Sequence, residues 1–438
     1  MKLGPYAVCR SWRAAVLILS AVLSATGCQE DLGSGAACAT LCPDTLTLKD
    51  TVLEADSVLA VDSTLVGFPP LGTESNLLVA NYEQGANRVQ SVAVLRFDKL
   101  AYTVTTDTTQ PPKPVVRVDT SSVVLNVLAP PTGQDTIYVQ DTIVFQVFDV
   151  DVDAPDFDTA SVHQRFLQPP IATRAVPPDS AKGQIRILLD TGFVAQRVRA
   201  GGRIRLGISA VSNKDFRLRI SSFESGGASE LQYAAYAADS SRQFMTVLAN
   251  TKASQGATIS ALADYMLVVE GSPPPPAGVL TIGGLPSSRV FLRFNIPPAL
   301  IDSATTIVRA NLELWQIGSP NFLSTDSLSI VPRVVRATND VTDVGQAAVL
   351  VQDASFLNLK AIQVLPEESR RDTLPLVNLT RLWRSEATEN LQRAIVLQSS
   401  GEGTDPRQIF FASPQAADPD LRPRLRLSYI PRSGFGLP

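Results

Sequence analysis

The chain of 438 residues contains a single histidine, which limits the acid–base chemistry that its side chains can perform. His163 lies in Ser161-Val-His-Gln-Arg165, which matches no nucleophile motif, and the chain has no Gly-x-Ser-x-Gly turn. Catalytic triads and proton transfer near neutral pH most often depend on histidine. We therefore predict that the protein is not an enzyme, and we interpret His163 as a surface or loop residue.

Carboxylates offer the remaining route to catalysis. A pair of Asp or Glu side chains can cleave a glycosidic bond without histidine, and the chain has 42 acidic residues. None of them stands in a recognisable catalytic motif. A hydrolase or lyase that acts on glycans is therefore kept as an alternative to a non-catalytic protein.

Five aspartates cluster in one short segment: Asp149, Asp151, Asp153, Asp156 and Asp158. Strand alternation places the first three on one face, where their charges repel one another unless a cation neutralises them. Ca²⁺ accepts several such oxygens, but an EF-hand loop would also need a glycine and a terminal glutamate. Two interpretations stay open: a Ca²⁺ site, which is the one cofactor considered, or a solvated charged edge that discourages pairing between sheets.

Aromatic residues make up only 6% of the chain. Outside the N-terminal signal described below, the tryptophans are Trp315 and Trp383. Trp315 follows Leu312 and Leu314 in a predicted strand and falls on the opposite face. It is the candidate for an outward ring that contacts a ligand, and the alternative is a ring tucked beneath a loop.

The first residues have the features of an export signal. Basic residues precede an apolar run over 14–23, which is shorter than the ~20 residues of a membrane-spanning helix. The following Ala25-Thr-Gly-Cys28 resembles the bacterial lipobox, although that motif prefers Leu where Ala25 stands. The resemblance implies a signal peptide over 1–27 and a lipid on Cys28 that anchors the exported protein to the cell envelope. Cleavage nearby that leaves Cys28 as a plain thiol is the alternative.

The segment after the lipobox is small and polar. Gln29 stands where the Gram-negative sorting rule places Asp for retention, so the resemblance favours the outer membrane. Residues 28–55 are predicted to be a flexible tether. Cys38 and Cys42 are predicted to form a disulfide, because leftover cysteines in an oxidising compartment usually pair.

Short apolar runs separated by turn residues dominate the rest of the chain. Runs such as 91–97 and 203–208 are rich in β-branched residues, which is typical of a sandwich or barrel. We predict an all-β fold of two tandem antiparallel β-sandwich, jelly-roll-like modules over 56–238 and 239–432, with a tail over 433–438. Charged residues are 18% of the chain and the net charge is -4, which excludes a strongly basic nucleic-acid binder.

The two halves share an ordered set of strand-like motifs. Leu95-Arg-Phe-Asp98 recurs as Leu292-Arg-Phe-Asn295, and four further matches keep the same order. The order places the prolines at 273–276 in a loop inside the second module, because Pro69-Pro70 precedes the equivalent motif in the first. We expect residues 240–438 to fold alone.

Four segments of the second half resemble the DNRLRE-type module. They are Val290-Phe-Leu-Arg-Phe-Asn-Ile-Pro297, Ala310-Asn-Leu-Glu-Leu314, Asn378-Leu-Thr-Arg-Leu-Trp383 and Arg422-Pro-Arg-Leu-Arg-Leu-Ser-Tyr429. The resemblance implies a β-sandwich similar to certain carbohydrate-binding modules. The first half keeps the order but lacks the tryptophan and the Arg-Pro pair, and the motif assigns no ligand-contacting residue.

These segments also have structural roles that follow from their periodicity. Ala310, Leu312 and Leu314 share one strand face and should fill the core. Leu379 and Trp383 share a face of one helical turn that should cap an open end of the sandwich.

We therefore predict a non-catalytic cell-envelope lipoprotein that acts as a surface binding or structural module. Its expected partners are the membrane, through the lipid on Cys28, and polysaccharide, whereas nucleic acid is not expected. The alternatives are a glycan-active hydrolase or lyase, and an accessory subunit of an outer-membrane assembly or secretion complex. The sequence identifies no protein partner.

Overall fold

The computed structural model describes residues 48–431 except 85–86, 99, 106–107, 130–137, 152–157, 250–263, 302–304, 319–326, 337–339, 354–356, 358, 366–368 and 385–392. Cys28, Cys38 and Cys42, with the signal peptide and the tail, lie outside the described residues, as do Asp153 and Asp156.

Strands dominate the described chain. The strands are β1 (Lys49–Glu54), β2 (Leu59–Phe68), β3 (Asn76–Gln84), β4 (Asn87–Phe97), β5 (Thr103–Val104), β6 (Lys113–Pro114), β7 (Arg117–Val127), β8 (Ile143–Asp149), β9 (Ala172–Val176), β10 (Gly183–Leu188), β11 (Ile204–Val211), β12 (Phe216–Ser221), β13 (Glu230–Tyr236), β14 (Arg242–Leu248), β15 (Asp264–Glu270), β16 (Val279–Gly283), β17 (Ser287–Phe294), β18 (Thr305–Ile317), β19 (Leu328–Val335), β20 (Val351–Asp353), β21 (Ile362–Val364), β22 (Arg371–Pro375), β23 (Ala394–Ser399), β24 (Gln408–Ala412) and β25 (Arg424–Pro431). The helices are α1 (Ala55–Val58), α2 (Thr159–Arg165), α3 (Thr191–Arg199), α4 (Pro298–Ile301), α5 (Val344–Leu350) and α6 (Val377–Leu382).

The first module is an antiparallel sheet system in the order β14-β13-β7-β12-β3-β4-β11-β8-β9, with β10 paired to β7 and β15 paired to β4. β7 joins the two layers, because it pairs with β13 and β10 on its two edges and continues at Val127 to a pairing with β12. The alternating side chains of both layers meet in one core, which includes Phe97, Phe145 and Leu206.

The second module repeats this arrangement in the order β1-β25-β18-β24-β16-β17-β23-β19-β20, with β2, β21 and β22 paired to β17, β19 and β18. β18 joins its two layers through β25, β22 and β24. The predicted all-β fold of antiparallel sandwiches is confirmed. Ala310, Leu312, Leu314 and Phe294 are buried in the core as predicted.

Strand pairing matches the two modules element by element. The equivalent pairs are β3 and β16, β4 and β17, β7 and β18, β8 and β19, β10 and β22, β11 and β23, β12 and β24, and β13 and β25. β9 matches β21, because Val176 pairs with Ile143 of β8 as Val364 pairs with Leu328 of β19. The register agrees as well, since Ile187 pairs with Val123 in the first module and Leu374 pairs with Leu312 in the second. The predicted internal repeat is therefore visible in the connectivity.

Two flanking strands complete each module, and the chain supplies them in an exchanged order. β14 and β15 follow β13 and pair with β13 and β4. The equivalent strands of the second module are β1 and β2, which precede the first module but pair with β25 and β17. We call residues 49–68 the N-terminal arm and residues 242–270 the central arm.

A shared bulge supports the equivalence of β2 and β15. Asp62 pairs with Leu292 and Asp264 pairs with Leu95, so the two aspartates occupy matching positions. Five residues further on, the register slips by one residue in both strands, at Gly67 and at Val269. Bulges are positional features that increase local twist, and their coincidence indicates that the arms are copies of one element.

This pairing corrects the predicted module boundaries. Residues 49–54, assigned to the tether over 28–55, form β1, and the rest of the N-terminal arm belongs to the second sheet system. The central arm, assigned to 239–432, belongs to the first. Alternation shows which residues form a strand, but it does not show which distant strand they pair with.

The proline segments are corrected for the same reason. Residues 273–276 connect β15 of the first module with β16 of the second, and Pro69-Pro70 connect β2 of the second with β3 of the first. Both are crossings between modules and not loops inside one. The predicted independent folding of 240–438 also conflicts with the structure, because that segment lacks β1 and β2.

Helices close the ends and faces of the sandwiches. In α6 and its last turn, Leu379 and Trp383 are buried as predicted, and the Trp383 ring lies 5.4 Å from the ring of Phe294. Among the described residues, no helix is both long and apolar enough to cross a bilayer.

Candidate functional site

A polar cleft of about 330 Å³ lies where the two modules meet. Its first wall is the outer face of β12, and its second wall combines the start of β19, β21 and the loop between β23 and β24. The lining residues are Arg217, Arg219, Ser327, Leu328, Ser329, Gln363, Ser400, Gly401, Thr404, Asp405 and Arg407. Residues of both modules therefore line the cleft.

The alternation of β12 directs two arginines into the cleft. Phe216, Leu218 and Ile220 are buried in the core of the first module, so Arg217 and Arg219 project from the opposite face. The Arg217 guanidinium lies 5.8 Å from the ring centre of Tyr82. Nη2 of Arg219 donates to the Ala129 carbonyl at 2.9 Å, and its Nε is buried without a hydrogen-bond partner in the described chain.

The opposite wall is a tight loop fixed by its own backbone. The Gly401 carbonyl accepts hydrogen bonds from the amides of Thr404 and Asp405 at 3.0 and 2.8 Å. Nε of Arg407 contacts both carboxylate oxygens of Asp405, at 2.8 and 2.9 Å, and Nη2 contacts one of them. The carboxylate in the described lining is therefore neutralised by a neighbouring guanidinium.

The N-terminal arm supports this loop from behind. Arg289 on β17 donates to Glu402 from Nε at 2.8 Å and lies 3.9 Å above the ring of Phe68 at the end of the arm. Gly403 has a φ of +80°, and a Cβ there would lie 2.7 Å from Pro69. Only glycine fits both the left-handed backbone and this close approach, so the arm and the cleft loop are packed as one unit.

Two carboxyl groups with raised pKa values lie away from the cleft. Burial raises the pKa of Glu74 to about 7 and that of Asp264 to about 7. Glu74 accepts a hydrogen bond from the Met266 amide at 3.3 Å, and Asp264 accepts one from the Phe223 amide at 2.9 Å. They have the acidity of a general acid but are only 3% and 1% exposed, so a polysaccharide cannot reach them in this conformation.

Two aspartates of the cluster, Asp149 and Asp151, form ion pairs with arginines of the protein itself. Asp149 contacts Arg197 at 2.9 Å, and Asp151 contacts Arg197 and Arg203 at 3.3 and 2.7 Å. Asp158 instead caps the N-terminus of α2, where it accepts from the Ser161 amide and hydroxyl. The sequence left open a Ca²⁺ site and a solvated charged edge. At Asp149 and Asp151 the neutralising charge is that of two arginines, and the described residues contain no group of three metal-ligating side chains.

Trp315 lies on the outer face of β18, opposite Leu312 and Leu314, as its spacing predicts. The ring is half-buried, its Nε1 donates to the Ser369 hydroxyl at 3.3 Å, and the Arg371 guanidinium lies 5.5 Å from its centre. It does not line the cleft. His163 lies on the short helix α2 and not in a loop.

No motif in the sequence marks Arg217 and Arg219 as functional residues. The alternating Phe216-Arg-Leu-Arg-Ile220 does predict a strand with two outward arginines. They line a cleft only because Ser329, Thr404 and their neighbours, more than a hundred positions away, form its other wall. Local sequence patterns do not show which distant residues meet.

Comparisons with known proteins supply no family. No family model and no curated protein sequence matches the chain. Among solved structures the chain is similar to the infectious bursal disease virus Gt strain, with 11% identity over 85% of this chain and 79% of that chain and a TM-score of 0.10. It is also similar to the Gx strain of that virus, with 10% identity over 89% and 77% and a TM-score of 0.12. Superpositions this poor carry no argument about fold or function.

Proposed function

We propose that the protein is a non-catalytic lipoprotein of the cell envelope that binds polysaccharide in the cleft between its modules. The observation that carries the proposal is the polar lining of that cleft. Its hydroxyl, amide and guanidinium groups match the donors and acceptors of sugar hydroxyls, and its volume falls in the range of about 300–1,000 Å³ for ligand sites. The resemblance of residues 280–430 to a carbohydrate-binding type of module points the same way.

The chemistry of the cleft supports binding and not hydrolysis. A glycosidase needs a carboxylic acid to protonate the leaving group and a second carboxylate nearby. Asp405 is held by Arg407, and the carboxyls whose pKa values suit an acid, Glu74 and Asp264, are sealed in the first module. Release of reducing or unsaturated ends from any polysaccharide, abolished by Glu74→Gln, would establish the rival enzymatic function.

The test is a glycan array probed with the mature chain in detergent. Ser329→Trp places a large ring in the cleft, and it should abolish the binding found for the wild type. Thr246→Trp, on the exposed outer side of β14, is the matched control and should bind as the wild type does. Equal binding by both variants would exclude the cleft as the site.

The lipid anchor needs a separate experiment. Cys28→Ala should lose a radioactive fatty-acid label and should leave the membrane fraction or remain unprocessed. Equal label on the wild type and the variant would contradict lipidation at Cys28.

A further inference from the structure

We propose that the cleft selects polysaccharides that carry carboxylate or sulfate groups, and that Arg219 is the residue that selects them. This inference rests on the proposed function, because it names the ligand class of the same cleft. It is carried by the charges of the lining, by the contacts of Arg219 and by a comparison of the two modules.

The described lining is cationic. It contains the guanidinium groups of Arg217, Arg219 and Arg407 and one carboxylate, that of Asp405. Both oxygens of that carboxylate face Arg407. The charge of Arg219 is therefore not balanced by Asp405, and an anionic group of a ligand would meet a complementary field.

Arg219 is partly withdrawn from water and has no anionic partner among the described residues. The hydrogen bond from its Nη2 goes to a neutral carbonyl, that of Ala129. Its Nε is buried and unpartnered in the described chain, and an unmade hydrogen bond at a buried charged group is costly. The planar guanidinium matches the oxygens of a carboxylate or sulfate, so such a ligand would supply the anionic partner that Arg219 lacks in the described chain.

The fold itself does not require arginines on this strand. Arg217 pairs with Ala80, and Gln408 pairs with Gly283 at the matching place in the second module. Two residues further along each strand, Phe410 matches Arg219. Gln408 and Phe410 are both buried, and Gln408 donates to the Pro273 carbonyl. The same strand of the repeat thus packs with neutral side chains, and the arginines are particular to the wall that faces the cleft.

The other wall supplies contacts suited to sugar hydroxyls. Ser329 and Ser400 lie side by side, because the Ser400 amide donates to the Ser329 carbonyl at 2.9 Å. The Thr404 hydroxyl donates to the Gly401 carbonyl, which leaves its oxygen available as an acceptor. A chain with one anionic group per residue could place that group on Arg219 and its hydroxyls on this wall.

The experiment measures the affinity of the full mature chain, in detergent, for two pairs of polymers by isothermal titration calorimetry. Polygalacturonate is compared with its methyl ester, and dextran sulfate with dextran, so that each pair differs in charge on one backbone. We expect binding of the charged member of at least one pair and at least tenfold weaker binding of its neutral counterpart. The pair that binds distinguishes a carboxylate ligand from a sulfate ligand.

Variants locate the effect. Arg219→Gln should weaken binding of the charged polymer about tenfold, the cost of one charge-assisted hydrogen bond, and should reduce the dependence of affinity on salt. Lys182→Gln removes the same charge from an exposed turn that does not line the cleft, and it should change affinity less than twofold. Asp405→Asn should strengthen binding, because it releases Arg407; melting temperatures verify that all variants fold.

The outcomes separate the two proposals. Equal binding of charged and neutral polymers would overturn the selection of anions while leaving polysaccharide binding intact. Equal losses in Arg219→Gln and Lys182→Gln would reduce the effect to overall charge and also overturn it. If the protein binds none of these four polymers and none of the glycans on the array, both proposals are overturned.

Discussion

The two modules have the same strand order, but their flanking strands come from different places in the sequence. In the first module they follow the core strands, and in the second they precede them. The first module is completed by the central arm, which follows it, and the second by the N-terminal arm, which lies before the first. If each repeat is read as an arm followed by a core, the two repeats have exchanged arms. A sequence repeat and a structural module are therefore different segments of this chain, and neither module is complete without residues from the other repeat.

The exchange makes removal of the N-terminal arm the largest expected effect. Deletion of residues up to 75 would remove β1 and β2 and expose the unpaired edges of β25 and β17. We expect the second module to lose cooperative unfolding in circular dichroism melts, while the first module still melts.

A circular permutant provides the control for this deletion. Lys49 pairs with Tyr429, so residues 48–68 can follow β25 through a short turn, as β14 follows β13. A chain of residues 76–431, a short turn and residues 48–68 should recover the second transition. If the deleted chain melts like the wild type without the added strands, the arm is dispensable and our account of the second module is wrong.

Matched core positions should respond alike in the two modules. Phe97 and Phe294 close equivalent strands and are both buried. Replacement of either by alanine should lower the free energy of unfolding of its module by about 3–5 kcal/mol, the usual cost of a large cavity in a core. Denaturant unfolding measures the loss, and a value below about 1 kcal/mol for Phe294→Ala would mean that the strand does not face the core.

The strands, many of their buried residues and the repeat could be predicted from the sequence, because they depend on local patterns of side chains. Leu312 and Leu314 alternate with Asn311 and Glu313, and Trp383 follows Leu379 by four residues, so their burial follows from the period of two in a strand and of 3.6 in a helix. The repeat was visible because Leu-Arg-Phe recurs in the same order. What escaped prediction was pairing at long range, namely β1 with β25 and β2 with β17, since hydrogen bonding between backbones leaves no mark on side-chain patterns.

The candidate site shows the same division. The sequence indicated that Asp149 and Asp151 need a positive partner but not that Arg197 and Arg203 provide it. The cleft itself depends on two modules and one arm meeting, so no single segment predicts it.

Asp62 and Asp264 occupy matching positions of the two arms but differ in burial. Asp264 is buried, with its pKa raised to about 7, whereas Asp62 is half-exposed and accepts from Gln415. The folded protein binds a proton at Asp264 more tightly than the unfolded chain does. Its contribution to stability is therefore greatest below about pH 4 and is lost as the pH rises to about 7.

Replacement of Asp264 by asparagine should remove this loss of stability at higher pH. Asp264→Asn should raise the free energy of unfolding at pH 8 by up to about 3 kcal/mol relative to the wild type, and it should reduce the decline between pH 4 and 7, leaving the part that Glu74 contributes. Urea unfolding across this pH range is the measurement. Asp62→Asn is the matched control, and its free energy of unfolding should decline with pH as that of the wild type does. A decline in Asp264→Asn as steep as in the wild type would show that this carboxyl does not titrate as its burial implies.

The smallest expected effect is that of replacing Trp315, and it tests whether the ligand binds in the cleft or on the outer face of β18. In the first module, the position that matches Trp315 is Asn126, whose Nδ2 donates to the Gly227 carbonyl at 3.0 Å, so no ring stands there. Trp315 contacts Arg371 and Ser369 on a half-exposed surface, where a cation–π contact contributes about 0.5–1 kcal/mol. Trp315→Ala should therefore lower the free energy of unfolding by about 1 kcal/mol or less and leave polysaccharide affinity unchanged. Arg219→Gln should do the reverse, with little change in stability and weaker binding. If Trp315→Ala abolishes binding and Arg219→Gln does not, the ligand lies on the outer face of β18, and the aromatic platform considered from the sequence is the correct site.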